Sequence, residues 1–541
     1  MLAPKSMPST SIGKTTTRNA SGSRDRSAAG SVRNKPASAG IVGNNSSDPI
    51  ELVFGLVGPT GVDLTRICSV LVEQLKAVGY QTRVVRLSEL ILPYAGKAAK
   101  AANDYERIDE LMTEGTQLRR DTGTADIVAR LGLAEIRELR ELITKDPKRP
   151  PSFGVAYIVR SFKRPEEVKL YRDTYGKAFN LISVYSPKAT RVEHLSRRFH
   201  GIETANSTSQ EELAVRLVNR DYEEDGRLGQ KLGRTFPLAD FFVSSAPNNV
   251  IGEQLRRFVR LVFGDPYISP TKDEQGMFLA QASALRSLDL SRQVGAAVTN
   301  TDGDVLATGC NEVPKAGGGL YWAEDPGVMR DVELGVDSNA AIKEEIIKDA
   351  VRHLREKGWL SSEFLAKSDA DLTRLSLYGP DPFFRDSRIF DVIEFGRAVH
   401  AEMAAITHAA RLGIALKGSK LYSTTFPCHL CARHIVAAGI NEVQFVEPYE
   451  KSRTQELYSD SISVEPKEDV SGRTIFKSFV GVAPRRYMDL FSLSVERKKQ
   501  DGNTLGPESI AIIPKIRRFV ITYLLIEEKM IQEIPLNPIT N

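Results

Sequence analysis

Residues 400–431 read HAEMAAITHAARLGIALKGSKLYSTTFPCHLC, and this stretch decides the fold. Apolar residues recur at helical spacing from Ala401 to Leu412, and Gly413 ends the pattern where the C′ residue of a helix belongs. Lys420–Thr425 follows as a strand. Cys428–Ala438 returns to helix and closes on Gly439, and Glu442–Val446 is a further strand. Helices alternating with strands at this spacing belong to a layered α/β fold.

Upstream, a helix around Gln275–Ser287 precedes two short strands, Gly295–Thr299 and Val305–Gly309. The link Thr301-Asp302-Gly303-Asp304 carries the Asp-Gly hairpin signal, so an antiparallel pair joins the sheet and makes it mixed. A long insertion, 312–395, separates this hairpin from the quoted stretch. Further upstream, Leu52–Val57 is a buried strand, Gly58-Pro59-Thr60-Gly61 a turn, Leu64–Val78 a helix closed by Gly79, and Thr82–Leu87 a strand. A charged helical region, Tyr105–Ile143, is followed by the strand Gly154–Val159, the helix Pro165–Tyr175 and the strands Asn180–Tyr185 and Phe241–Ser244. The helix Ile251–Phe263 completes the set, which describes a parallel sheet. Gly264-Asp265-Pro266 marks a boundary, giving domains at 49–264 and 265–497 and a C-terminal extension at 498–541.

The chain of 541 residues is too long for one hydrophobic core. Its formal charge is +4, of which residues 1–48 carry +5 and the remainder −1. That first segment, rich in Ser, Thr, Gly and Ala, cannot bury enough apolar surface to order itself, and a disordered tail is expected. Its Ser/Arg-rich composition is that of organelle transit peptides, but no amphipathic stripe accompanies it. A near-neutral body lacks the electrostatic footprint of a nucleic-acid binder and favours a small substrate. Four cysteines make no disulfide framework, and no apolar run spans a membrane or forms a secretory signal, so a reducing cytoplasmic setting is expected. Cys68 and Cys310 are expected as small buried residues.

His400, Cys428 and Cys431 are the metal-ligand candidates, each at the start of a helix. Cys428 and Cys431 are three apart and share one helical face. The partial positive charge of a helix N-terminus favours both thiolates. Three protein ligands leave tetrahedral Zn2+ one position open to water, the arrangement of a catalytic site. Glu402, close by but not a ligand, is the candidate proton shuttle. His408, His429 and His434 are the candidates for a fourth ligand of a structural site, and packing or capping roles suit them better.

Two resemblances sharpen these expectations. The pattern His400-Ala401-Glu402 with Pro427-Cys428-His429-Leu430-Cys431 is similar to the signature of zinc deaminases. With Ser291-Arg292-Gln293-Val294-Gly295-Ala296 and Ala307-Thr308-Gly309-Cys310-Asn311, it makes residues from about Met277 to Leu490 resemble the deoxycytidylate branch of the cytidine deaminase superfamily. The resemblance implies an α/β/α deaminase fold, catalysis by Glu402, a sugar contact at Asn311 and base contacts near Ala401 and Phe426. Ala404 departs from the pattern, where Asn is frequent. From Glu51 to Phe491 the chain also resembles bacterial deaminases fused to a P-loop kinase-type domain and implicated in depleting deoxycytidine nucleotides during phage infection. It shares Gly229-Gln230, Ala239-Asp240-Phe241, Glu447-Pro448-Tyr449 and Gly481-Val482-Ala483-Pro484 with them. Gly58 and Gly61 would then hold a regulatory nucleotide without hydrolysing it, because Val62-Asp63 stand where a phosphate loop carries Lys and Ser/Thr. The expected substrate is a free deoxycytidine mono- or triphosphate, with Arg292, Lys315 and Arg397 as phosphate candidates or plain surface charges. A homo-oligomer is expected, with no membrane partner. The alternatives are a deaminase acting on a base within nucleic acid, which the charge disfavours, and an inactive nucleotide-binding regulator, which the intact Glu402 disfavours.

Overall fold

The computed structural model describes residues 51–535 apart from short stretches within 203–207, 223–227, 246–249, 381–393, 449–451, 467–470, 507–512 and 517–521. The expected tail, 1–48, lies outside the described residues, as does Tyr449. The strands are β1 (Leu52–Val57), β2 (Gln81–Arg86), β3 (Val155–Arg160), β4 (Phe179–Tyr185), β5 (Phe241–Ser244) and β6 (Gly295–Thr299). They continue with β7 (Val305–Cys310), β8 (Lys420–Thr425), β9 (Glu442–Glu447), β10 (Ile462–Val464), β11 (Thr474–Ser478) and β12 (Gly481–Val482). They form two sheets, and the protein is α/β as expected.

The first sheet has the order β12-β5-β4-β1-β3-β2, parallel throughout except for β12. Every residue of β1 is buried, as a central strand covered on both faces requires. Its run of Leu, Val and Phe leaves no polar face to expose. From β1 the sheet extends to β3 and β2 on one side and to β4 and β5 on the other. The C-terminal end of β1 is therefore the topological switch point of the sheet.

The second sheet has the order β10-β11-β9-β8-β6-β7, with β6 antiparallel to β7 and β8 and the remaining pairs parallel. Ala296 pairs with Gly309, so Gly295 and Gly309 face opposite sides of the sheet. A Cβ on Gly295 would lie 1.9 Å from Ala280 O, because the helix Lys272–Ala284 rests directly on that side. A Cβ on Gly309 would lie 2.3 Å from Ala401 O, because the helix Ala401–Leu412 rests on the other. Ala296, Val298, Ala401, Ala405, Ala409, Leu421 and Val443 fill the layer around this second contact.

The helical region expected across 105–143 is two helices, Asp104–Thr122 and Ile127–Thr144, parted at Gly123, whose φ of 64° belongs to a left-handed helix stop. The boundary expected at Gly264 is crossed by the chain, since β12 returns to the edge of the first sheet beside β5. Glu274 fastens that return. Its buried carboxylate accepts from Val482 N at 2.8 Å, pairs with Arg257 at 2.6 and 2.7 Å, and caps its own helix through Thr271 N at 2.8 Å.

The C-terminal helix also returns to elements of the first sheet. The helix Thr522–Gln532 lies on Ile127–Thr144 and carries Glu527 to Arg140, both buried. Arg140 spans Glu527 and Glu51, with Nη2 at 3.0 Å from one and Nε at 3.0 Å from the other. Tyr157 donates to Glu51 at 2.8 Å and Tyr175 to Glu527 at 2.6 Å. Breaking a buried, hydrogen-bonded ion pair from one side is far more costly than losing a surface pair. Glu527→Ala is expected to lower unfolding stability in urea by about 3 kcal/mol, whereas Lys529→Ala, at an exposed position of the same helix, should leave the midpoint nearly unchanged.

Candidate metal centre

Two helix starts converge beside the end of β8. His400 is the N-cap of Ala401–Leu412 and Cys428 the N-cap of His429–Ala437, both with extended backbone. Cys431 follows within the first turn of the second helix. His400 Nδ1 lies 3.2 Å from Cys428 Sγ and 3.4 Å from Cys431 Sγ, and the three ligand atoms fall within 4.8 Å of one another. Tetrahedral zinc at its usual bond lengths separates such nitrogen and sulfur atoms by about 3.5 Å. The donor set and its spacing therefore fit zinc. Among the described residues no fourth His, Cys, Asp or Glu joins the group. His408 Nδ1 is bonded to Thr308 O at 3.1 Å, and His429 lies 3.8 Å from Glu394. One thiol of the pair holds negative charge readily: the Cys431 hydrogen bond, helped by His400, pulls Cys428 down to about 4, while that same hydrogen bond and burial push Cys431 up. His400 is pushed up, first by its hydrogen bond to Cys428.

Glu402 is buried against this group without belonging to it. One carboxylate oxygen lies 3.3 Å from Cys431 Sγ, and the other accepts from Ser423 Oγ of β8 at 3.2 Å. Burial raises its pKa, and the Cys428 charge adds to the rise. A cavity of about 240 Å³ opens over the centre, lined by His400, Ala401, Glu402, Asn311, Phe426 and Cys428. The candidates drawn from the second half of the sequence are thus brought together. Asn311 already has partners at both ends of its amide: Oδ1 accepts from Val294 N at 2.7 Å and Nδ2 donates to Arg292 O at 2.8 Å. Phe426 stacks edge-on against Phe445 at 4.8 Å. Arg292 and Arg397 also line the cavity, paired with Glu447 at 3.0 Å and Asp331 at 2.9 Å. Lys315 pairs with Asp325 at 2.7 Å and does not line it.

Residues 270–447, a third of the chain, match the family described as "Cytidine and deoxycytidylate deaminase zinc-binding region". This segment is a zinc-binding deaminase region. The chain is 36% identical over 74 residues to "ComE operon protein 2" of Bacillus subtilis (strain 168), covering 13% of this chain and 39% of that protein. It is 40% identical over 55 residues to "Deoxycytidylate deaminase" of Enterobacteria phage T2, covering 10% and 29%. Both matches span less than half of the relatives' lengths. A solved dCMP deaminase from the cyanophage S-TIM5, in complex with dCMP and dUMP, aligns at 18% identity and a TM-score of 0.21. That alignment covers 39% of this chain and 99% of that one, a likeness too weak to bear on fold or substrate.

The deaminase region also draws on residues that sequence reasoning missed. Asp331, Asp337 and Asn339, from the insertion, form part of the cavity wall. Asp337 caps the helix Ser338–Glu356, a start signal present in the sequence, but nothing local says that this helix begins at the zinc site. Cys68 and Cys310 are buried, as expected. No helix among the described residues is long and apolar enough to cross a membrane.

Gly58 and Gly61 lie at the switch point after β1, yet they do not form an open phosphate cradle. Thr60 N donates to Asp221 Oδ2 at 2.6 Å, and Thr65 N and Arg66 N donate to Asp63 Oδ1 at 3.0 Å. Val62 N and Leu64 N are taken by backbone carbonyls at 3.0 Å. Lys163 closes the loop from above, 2.7 Å from Asp221 and 3.1 Å from Gly58 O. Gly61 is glycine for a steric reason: its φ is +96°, and a Cβ there would sit 2.8 Å from Arg191 O. The amides of Thr60, Thr65 and Arg66 are thus taken by the chain's own carboxylates, and the nucleotide contact expected at Gly58 and Gly61 stands as a proposal. For the deaminase region, the full chain is expected to carry about one zinc when purified without added metal. Metal analysis should find it lost in Cys428→Ser and Cys431→Ser and kept in Glu402→Ala.

Proposed function

We propose that the protein hydrolyses the 4-amino group of a free deoxycytidine nucleotide, giving the deoxyuridine nucleotide and ammonia. One observation carries this reading: Glu402 stands buried beside the His400–Cys428–Cys431 group, outside the ligand set, on the wall of a cavity open to a small molecule. Water adds at C4 of the ring, the C4–N bond breaks and ammonia departs. Glu402 takes the first proton from the water and gives it to ring N3, where it stays in the product; it then takes the proton of the new C4 hydroxyl and delivers it to the amine, so that C4=O forms as the C4–N bond breaks. Its raised pKa suits both roles, because a shuttle works best near the ambient pH. When bound, zinc supplies the Lewis acid that makes water nucleophilic at neutral pH. The Phe426 ring offers the base an apolar surface at the cavity wall. The phage T2 relative's description, deoxycytidylate deaminase, supports the choice of base and sugar. The near-neutral charge of residues 49–541 favours a free nucleotide over a polymer. Such a reaction would deplete deoxycytidine nucleotides in an infected cell, the role implied by the fused-domain resemblance.

Incubation with dCMP, dCDP, dCTP, CMP and a cytosine-containing single-stranded oligonucleotide, followed by chromatography, decides the matter. A deoxyuridine nucleotide and ammonia are expected from at least one free deoxynucleotide. Turnover of the oligonucleotide alone, or of none, rejects the proposal. Glu402→Ala should retain zinc and lose at least about 100-fold in kcat.

A further inference from the structure

A serine stands among apolar residues on the face of the second sheet that carries the helix Ala401–Leu412. Ala296 pairs with both Gly309 and Ser423, so all three point to that face. Ala296 and the next pair on the same side, Val298 and Leu421, are apolar and fully buried. Ser423 is fully buried with them. A hydroxyl so placed needs a partner inside the protein, since leaving it unpaired would cost more than filling the space with an apolar side chain. Its partner is Glu402. Ser423 Oγ donates to Glu402 Oε1 at 3.2 Å and accepts from Thr425 N at 3.4 Å.

A carboxylate that moves protons must hold one orientation, because a misplacement of about 1 Å at a reacting group can cost about 100-fold in rate. The close approach at Gly309 holds the backbone on either side of Glu402, at Ala401 and Ala405, but leaves its flexible side chain unconstrained. Ser423 supplies that constraint. With Oε1 held by the hydroxyl, Oε2 lies on the side of the metal ligands, 3.3 Å from Cys431 Sγ. Oε1 can keep accepting while Oε2 gains and loses a proton, so the anchor persists through turnover. Ser423 does not itself line the cavity, and any effect it has on the substrate passes through Glu402, which does. Resting on the deamination proposed above, we infer that Ser423 is a positioning residue whose hydroxyl orients the Glu402 carboxylate for proton transfer.

The test compares the zinc-loaded full chain with Ser423→Ala and Ser419→Ala on whichever of dCMP, dCDP and dCTP the parent deaminates. Ser419 carries another buried hydroxyl, just before β8, but donates to Leu416 O at 2.6 Å and so reports the structural cost of losing such a group. Ser423→Ala is expected to lower the single-turnover rate by about 10-fold or more, with the half-saturating substrate concentration and the zinc content unchanged. Ser419→Ala should keep the parent rate. A crystal structure of zinc-loaded Ser423→Ala should show the Glu402 carboxylate turned from its parent orientation, or in more than one. A parent-like rate in Ser423→Ala, a change confined to the half-saturating concentration, an equal loss of rate in Ser419→Ala, or an unmoved carboxylate overturns the inference while leaving the reaction standing. A parent that deaminates none of the three nucleotides removes the reaction and the inference together.

Discussion

The deaminase half of the molecule depends on one close approach. At Gly309 the helix Ala401–Leu412 comes so near to β7 that an added Cβ would meet Ala401 O at 2.3 Å and Ala405 N at 2.4 Å. No side chain fits between, so the start of the helix is held against the sheet. His400 and Glu402 are placed by that contact, because both belong to the first turn or its cap. Gly295 plays the same part on the other face, where the helix Lys272–Ala284 presses on β6. β8 is then paired to β6 in a register that sets Ser423 opposite Ala296. From there Ser423 reaches Glu402, and the chain runs on directly to Cys428. The metal ligands are thus positioned by backbone packing that tolerates no intervening atom.

What the sequence disclosed follows from the range of the interactions involved. β1, β6 and β8 fall where apolar runs and turn signals place them, because a strand buried on both faces or an Asp-Gly turn leaves a local mark. His400, Cys428 and Cys431 were legible for the same reason: each sits at a helix start that its own neighbours announce. β12 was not legible. Two residues have no periodicity, and their pairing with Phe241 and Phe242 joins positions some 240 apart in sequence. Glu274 and Arg140 with Glu527 escape in the same way, since each acts through a partner on a distant segment. The contacts around the turn after β1 are not legible either, because Asp221 and Lys163 stand on distant segments.

Buried charge is the common device by which the distant segments are fastened. Arg140 between Glu51 and Glu527 ties the C-terminal helix to the first sheet, and Glu274 ties the deaminase helix and β12 to Arg257. Such pairs add little net stability over apolar packing, but each specifies one arrangement, since any other leaves a charge unpaired. That property suits a chain whose C-terminal segments must find the correct edge of a sheet formed from its beginning.

The two halves use the same physical resource to opposite ends. A helix that starts just after a strand presents unbonded amides and a partial positive charge at the strand's C-terminal end. After β1 the chain supplies its own anions: Asp63 takes Thr65 N and Arg66 N, Asp221 takes Thr60 N, and Lys163 balances Asp221. The site is closed, and the helix Gln210–Tyr222, which carries Asp221, is locked over it. After β8 the side chains at the helix start are thiols, Cys428 and Cys431, and the hydrogen bond between them, with His400 beside it, favours thiolate at Cys428. Thiolates still need a cation. The amides of Thr60, Thr65 and Arg66 find their anions within the chain, whereas the thiols after β8 and His400 form a donor set that fits a metal.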